Sequence, residues 1–119
     1  MSNVNEMVDK LLQEMRRGTI TIAVLSQLEK PQYGYSLVTV LADKGFQVEA
    51  GTLYPLLRRL EKQGLLISEW DTNDARPRKF YLVSAFGKEV YEKLLEEWKK
   101  MALSMDGLIK GGVTGNGDD

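Results

Sequence analysis

The chain has no cysteine and no histidine among its 119 residues, and those two absences remove most of the side chains on which enzymes are built. There is no thiolate nucleophile, no imidazole general base, no Ser-His-Asp set and no Cys/His zinc site. Carboxylate chemistry has one candidate cluster, Glu69, Asp71 and Asp74, on a polar loop that promises no enclosed pocket. The sequence therefore predicts neither an enzyme nor a metal or cofactor. Also absent is any run near the ~18 apolar residues of a membrane span, although 43% of the residues are hydrophobic. The opening Met1-Ser2-Asn3-Val4-Asn5-Glu6 has neither a basic nor an apolar leader segment, which predicts a cytoplasmic location and no membrane partner. Charge of either sign is not in excess, at 16 basic against 17 acidic residues. Its distribution says more: residues 51–80 hold Arg58, Arg59, Lys62, Arg76, Arg78 and Lys79 against Glu61, Glu69, Asp71 and Asp74.

What is present reads as one domain, since a chain of this length supports a single core. Val4, Val8, Leu11, Met15, Ile22 and Leu25 repeat at three and four and predict a long first helix from Val4 to Leu28, with Gly18 as a weak step. The β-branched run Thr19-Ile20-Thr21-Ile22 favours a strand by propensity, but the helical spacing continues through it. Lys30-Pro31-Gln32 stops the helix. A second helix covers about Gly34 to Lys44, with Leu37, Val40 and Leu41 inward and Gly45 as its stop. Phe46-Gln47-Val48 is either a small strand or an inward-packing loop.

A third helix, about Glu49 to Gln63, buries Leu53, Leu56, Leu57 and Leu60 and turns Pro55, Arg58, Arg59 and Lys62 outward. Pro55 deprives the carbonyl of Gly51 of its helical partner. Either Thr52 is then the effective cap or Gly51 absorbs the strain. After Gly64, Leu65–Trp70 and Arg78–Val83 form two strands around the turn-forming segment Asp71 to Ala75. Ser84 caps a last helix to about Ile109, carrying Tyr91, Leu94, Trp98, Met101, Met105 and Leu108 in a heptad-like seam, and Gly111–Asp119 is an expected disordered tail.

Three helices and a hairpin in that order give an α+β, mostly α fold: a winged helix-turn-helix, residues 1–83, followed by a C-terminal dimerisation helix, 84–110, packed on the long N-terminal helix. In this architecture the third helix enters the major groove and the wing touches the DNA backbone or minor groove. Double-stranded DNA is therefore the expected partner. Arg58 and Arg59 suit guanine or phosphate, Thr52, Tyr54 and Pro55 sit near the helix start, Lys62 extends the basic face, and Arg76, Arg78 and Lys79 add charge on the wing. A charged helical face is by itself ordinary solvated surface, and Tyr54 reads equally well as a rim residue of the core. The rival reading is a winged-helix module that binds protein and leaves DNA alone.

Tyr33-Gly34-Tyr35, the run Gly51-Thr52-Leu53-Tyr54-Pro55-Leu56-Leu57-Arg58-Arg59-Leu60-Glu61, Gly64-Leu65-Leu66 and Arg76-Pro77-Arg78-Lys79-Phe80-Tyr81 resemble the PadR family of bacterial transcriptional regulators, over about Arg16 to Tyr91. The single C-terminal helix is similar to the compact, LmrR-like subgroup. The resemblance implies a homodimeric repressor that releases DNA when a small aromatic or multidrug-type effector binds. Two positions depart from the pattern: Ala75 stands where a glycine often precedes the wing arginines, and Glu49 where a serine often precedes the third helix.

The seam of the last helix is too apolar for a domain this small to bury alone. With Val4, Val8 and Leu11 of the first helix, it predicts a homodimer whose two reading helices meet a pseudo-palindromic operator about one turn, ~34 Å, apart. The alternative is that the stripe completes an intramolecular core. Trp98 occupies a place resembling the tryptophan beside the effector pocket of the LmrR-like subgroup, and its indole can stack planar compounds. Met15, Ile22, Leu95, Met101 and Ala102 are the expected pocket walls; alanine at 102 supplies no carboxylate for a cationic ligand. Trp98 as an interface anchor without a ligand is the other reading.

Overall fold

A computed structural model describes residues 3–73 and 75–114. Among the described residues the order is α1 (Asn3–Ser26), β1 (Gln32–Tyr33), α2 (Gly34–Asp43), α3 (Ala50–Lys62), β2 (Leu66–Asp71), β3 (Arg78–Val83) and α4 (Ala85–Thr114). This is the mostly helical α+β winged helix-turn-helix that the apolar spacing predicts. Helix α1 runs unbroken through Gly18 and through the β-branched run, because Ile20, Val24 and Leu25 keep one buried stripe.

Helices α2 and α3 end in the same way. Beyond each C-cap a glycine takes positive φ, Gly45 at 88° and Gly64 at 84°. The next amide then turns back across the last turn: Phe46 N–H donates to the Leu41 carbonyl at 2.8 Å and Leu65 N–H to the Leu60 carbonyl at 2.9 Å. These are paired Schellman closures, each planting an apolar residue on the core it has just left. Phe46 and Val48 accordingly pack inward as a loop, with no strand formed at 46–48.

The core joins α1, α2, α3 and the sheet through Val24, Leu28, Leu37, Leu53 and Leu57, all fully buried, with Leu41, Leu56, Leu60, Leu66 and Tyr81 around them. Each such side chain contributes roughly 1.5–3 kcal/mol of burial. Of the expected inner face of α2, Leu37 and Leu41 are buried and Val40 is half-buried.

The sheet has the order β1-β3-β2, antiparallel throughout. Strand β1 was not foreseen, since two residues carry no periodicity; it pairs Gln32 with Tyr81 and Tyr33 with Phe80. Strand β2 starts and ends one residue later than expected. Leu65 N–H is already used in closing α3, and Asp71 pairs with Arg78 across the hairpin. Two amides fasten the base of the wing: Val83 N–H to the Leu28 carbonyl at 2.8 Å and Ser84 N–H to the Leu65 carbonyl at 3.0 Å.

Ser84 caps α4 as expected, its Oγ accepting the Gly87 N–H at 2.9 Å and donating to the Gly64 carbonyl at 2.6 Å. The helix continues past the expected end at Ile109, so Gly111–Thr114, assigned from sequence to a disordered tail, belong to α4. Residues 115–119 of that tail lie outside the described residues. Helix α4 packs on α1. At ~1.5 Å per residue its 30 residues extend about 45 Å.

Candidate nucleic-acid interface

Helix α3 begins at Ala50, with Glu49 as N-cap. The Glu49 carbonyl accepts the amides of Thr52 and Leu53, both at 2.9 Å, so Thr52 is not the cap. Glu49 makes no side-chain capping bond, consistent with its being a poorer cap than serine. Pro55 sits inside the helix, and the carbonyl it leaves unbonded belongs to Gly51, which is exposed and open to water.

Leu53, Leu56, Leu57 and Leu60 point into the core, leaving Thr52, Pro55, Arg58, Arg59 and Lys62 exposed. Among the described residues no carboxylate pairs with Arg58, Arg59 or Lys62. The face of α3 thus offers three uncompensated cations. Tyr54 has a different place. It is half-buried against the core, and a Cβ on Gly34 would lie 2.5 Å from its ring. Only glycine at 34 lets α2 start this close to α3.

The wing cations are divided by strand alternation. Lys79, Tyr81, Trp70 and Ser68 share the face toward α3, as the pairs Lys79 with Trp70 and Tyr81 with Ser68 require. There the Lys79 ammonium meets Glu61 at 3.5 Å and lies 5.4 and 5.9 Å from the Tyr81 and Trp70 ring centroids. Ser68 Oγ donates to the other oxygen of Glu61. Arg78, Phe80 and Asp71 take the opposite face with Tyr33. The Arg78 guanidinium stands 4.2 Å from the Tyr33 ring centroid, and Phe80 meets that ring edge-on at 6.1 Å. Arg76, in the loop, is exposed.

The Tyr33 hydroxyl donates to Asp71, whose other oxygen accepts the Asn73 N–H at 3.0 Å. These two bonds, the tyrosine's first, hold the Asp71 carboxyl below its usual value against the opposing effect of burial, and the Arg78 charge adds the least of these. Asp71 is thereby an anchor for the wing. Of the carboxylates considered for hydrolytic chemistry, Asp71 is occupied in this way, Glu69 is exposed and Asp74 lies outside the described residues.

This arrangement, a cationic helix face beside an anchored hairpin, agrees with the comparisons. Residues 22–93 match the transcriptional regulator PadR-like family. The chain belongs to that family. It is similar to a PadR family transcriptional regulator from Eggerthella lenta, with 45% identity, a TM-score of 0.85, and 89% of this chain and 95% of that one covered. A PadR-like regulator from Bacillus cereus matches at 29% identity and a TM-score of 0.74, over 82% of this chain and 98% of its own. A transcriptional regulator of Mycobacterium tuberculosis is 35% identical over 78 residues, 65% of this chain and 73% of its own length. This PadR-family protein is thus a transcriptional regulator with a winged helix-turn-helix for DNA, and not an enzyme. Among the described residues no helix is long and apolar enough to cross a membrane.

The residues expected at a dimer seam fall into two groups. Tyr91 and Leu94 are half-buried against the chain's own core, so part of the stripe completes an intramolecular surface. Val4, Val8, Leu11, Trp98, Met101, Met105 and Leu108 are exposed. Of the expected pocket walls, Ile22 and Leu95 are half-buried, while Met15, Trp98, Met101 and Ala102 are open to solvent. Met7, Leu103 and Ile109 are further exposed apolar residues that the seam reading missed.

Proposed function

We propose that this PadR-family regulator is a homodimeric repressor of the compact LmrR-like type. In this reading it holds a pseudo-palindromic operator with Thr52, Tyr54, Pro55, Arg58, Arg59 and Lys62 of α3 and Arg76, Arg78 and Lys79 of the wing. The observation that carries it is the unpaired cationic face of α3 beside a hairpin anchored at both faces. Arg58 and Arg59 are the candidates for base or phosphate contact, since no carboxylate among the described residues neutralises them; Lys79, partly compensated by Glu61, contributes less charge.

One area and one radius support the dimer. The chain exposes 8776 Å², against roughly 6,500 Å² for a compact monomer of its mass. Its radius of gyration is 18.2 Å, against about 13–14 Å for a compact domain of this length. The ends of α1 and α4 contribute exposed Val4, Val8, Leu11, Met101, Met105 and Leu108. A second copy covering these faces gives two reading helices related by a two-fold axis. An effector site at Trp98, with Met15, Ile22, Leu95, Met101 and Ala102, would be closed by the partner copy, because in one chain the indole remains 41% exposed.

The test is a fluorescence-anisotropy titration against DNA from upstream of the protein's own gene and against scrambled DNA, at two salt concentrations. Tight, salt-sensitive binding to the first alone, saturating at two chains per site, is the expected result. Equal, weak binding to both would favour the protein-interaction reading.

A further inference from the structure

A carboxylate stands on the face of α3 proposed for DNA. Glu61 borders the depression lined by Pro55, Arg58, Arg59, Lys62 and Lys79, where a negative charge repels phosphate. Arg58, three residues earlier on α3, is within the ordinary reach of a helical ion pair, yet among the described residues no ion pair joins the two. The carboxylate turns instead to the wing and gives one oxygen to each strand. Its Oε2 accepts the Ser68 hydroxyl of β2, and its Oε1 lies 3.5 Å from the Lys79 ammonium of β3. Ser68 pairs with Tyr81 and Lys79 with Trp70, so the two groups are diagonal neighbours on one face of the hairpin. The last turn of α3 thus holds both strands through a single side chain. The base of the wing is fastened by the Val83 and Ser84 amides, and its opposite face by the Tyr33 to Asp71 bond. Neither of these attachments reaches α3.

We infer that Glu61 is a positioning residue for DNA recognition: it sets the wing against the reading helix, so that both elements meet one operator in one geometry. The inference rests on the DNA-binding reading above and gives Glu61 no contact with DNA. Lys79 enters it as an engaged group, held by the carboxylate and lying 5.4 and 5.9 Å from the Tyr81 and Trp70 ring centroids. Charge alone predicts the opposite sign for loss of Glu61, because removing a carboxylate beside a phosphate chain strengthens attraction to DNA of any sequence. Positioning acts on the operator, where α3 and the wing must be satisfied together. The two roles therefore separate by experiment.

The probe is the duplex that the full-length protein selects from a random library, compared by anisotropy with a scrambled duplex of equal length, while circular dichroism reports the fold. Glu61→Ala should weaken binding of the selected duplex roughly fivefold and leave the scrambled one unchanged or bound more tightly. Glu61→Gln keeps an acceptor for Ser68 and loses the charge that holds Lys79. It should fall between wild type and Glu61→Ala, and it is the deciding variant if alanine unfolds the chain. Ser68→Ala should lower operator affinity in the same direction, and combining it with Glu61→Ala should add no further loss, because its partner is already gone. Tighter binding of both duplexes would reduce Glu61 to a neutraliser of Lys79 and overturn the positioning role. Equal weakening of both in a folded protein, or additive losses in the double variant, would overturn it as well while leaving the DNA reading intact. Failure to select any duplex would remove the DNA reading itself, and the positioning role with it.

Discussion

In the block from Ile20 to Tyr81 the large aliphatic side chains are mostly inside, and Val24, Leu28, Leu37, Leu53 and Leu57 have no exposed surface at all. In the first half of α1 and the second half of α4 they are outside, from Val4 at 75% to Leu108 at 70% exposed. The same kinds of residue at the same helical spacing thus meet opposite fates. The difference lies in what is available to cover them: the core of α2, α3 and the sheet covers the C-terminal turns of α1, whereas the N-terminal half of α1 and the C-terminal half of α4 have no such cover. The block that faces DNA is finished within one chain, and the helix ends are, on the proposed dimer reading, half of an interface.

Substitutions in the two regions should break different things. Leu57→Ala opens a cavity in the finished core and should cost about 2–5 kcal/mol, read as a lower denaturant midpoint. Met101→Lys should leave the fold of the single chain intact, because that side chain is 61% exposed. It should weaken self-association by roughly 2–3 kcal/mol, by burying a charge at the seam, measured by sedimentation. If Met101→Lys unfolded the chain while leaving association unchanged, the division between the regions would be misplaced.

A finer contrast lies within the DNA-facing block, between α3 and the wing. Arg58→Ala should cost ~1–3 kcal/mol on operator DNA and relax discrimination at one base pair if Arg58 reads a base. Lys79→Ala should weaken all sequences about equally, and by less, since Glu61 already holds its ammonium at 3.5 Å. Equal losses on operator and scrambled DNA for both variants would remove Arg58 from base reading.

The smallest effect concerns the wing anchor. Asp71 has a depressed folded-state pKa, so its anchoring contribution is present above the unfolded carboxylate range and is lost as pH falls through the folded value. Tyr33→Phe removes the leading cause of that depression. Its stability difference from wild type should therefore be constant near neutral pH and shrink in acid, as followed by denaturation at several pH values. A difference that grew in acid would reverse the assignment.

Much of this was legible in the sequence, for a physical reason. Helices announce themselves through apolar spacing, and α1, α2 and α3 lie close to where Leu25, Leu37, Leu41 and the four leucines of α3 put them. Gly45 and Gly64 mark their stops because only the closing geometry demands positive φ there. The C-terminal end of α4 was misread because Gly111 and Gly112 weaken helix propensity without forbidding a helix. Strand β1 is too short to carry a pattern. The Tyr33 to Asp71 contact joins residues 38 apart, and no local signal encodes it. The division of the wing charges was legible too: adjacent strand residues face opposite ways, so Arg78 and Lys79 take opposite faces of β3.

Sedimentation equilibrium of the full chain over a wide concentration range tests the two-region account most directly. The account predicts a species of twice the 13.5 kDa chain mass that Met101→Lys shifts toward the single chain without loss of helix content. A wild-type protein that remains a 13.5 kDa monomer at every concentration would contradict it, because the exposed ends of α1 and α4 would then have no partner to complete them.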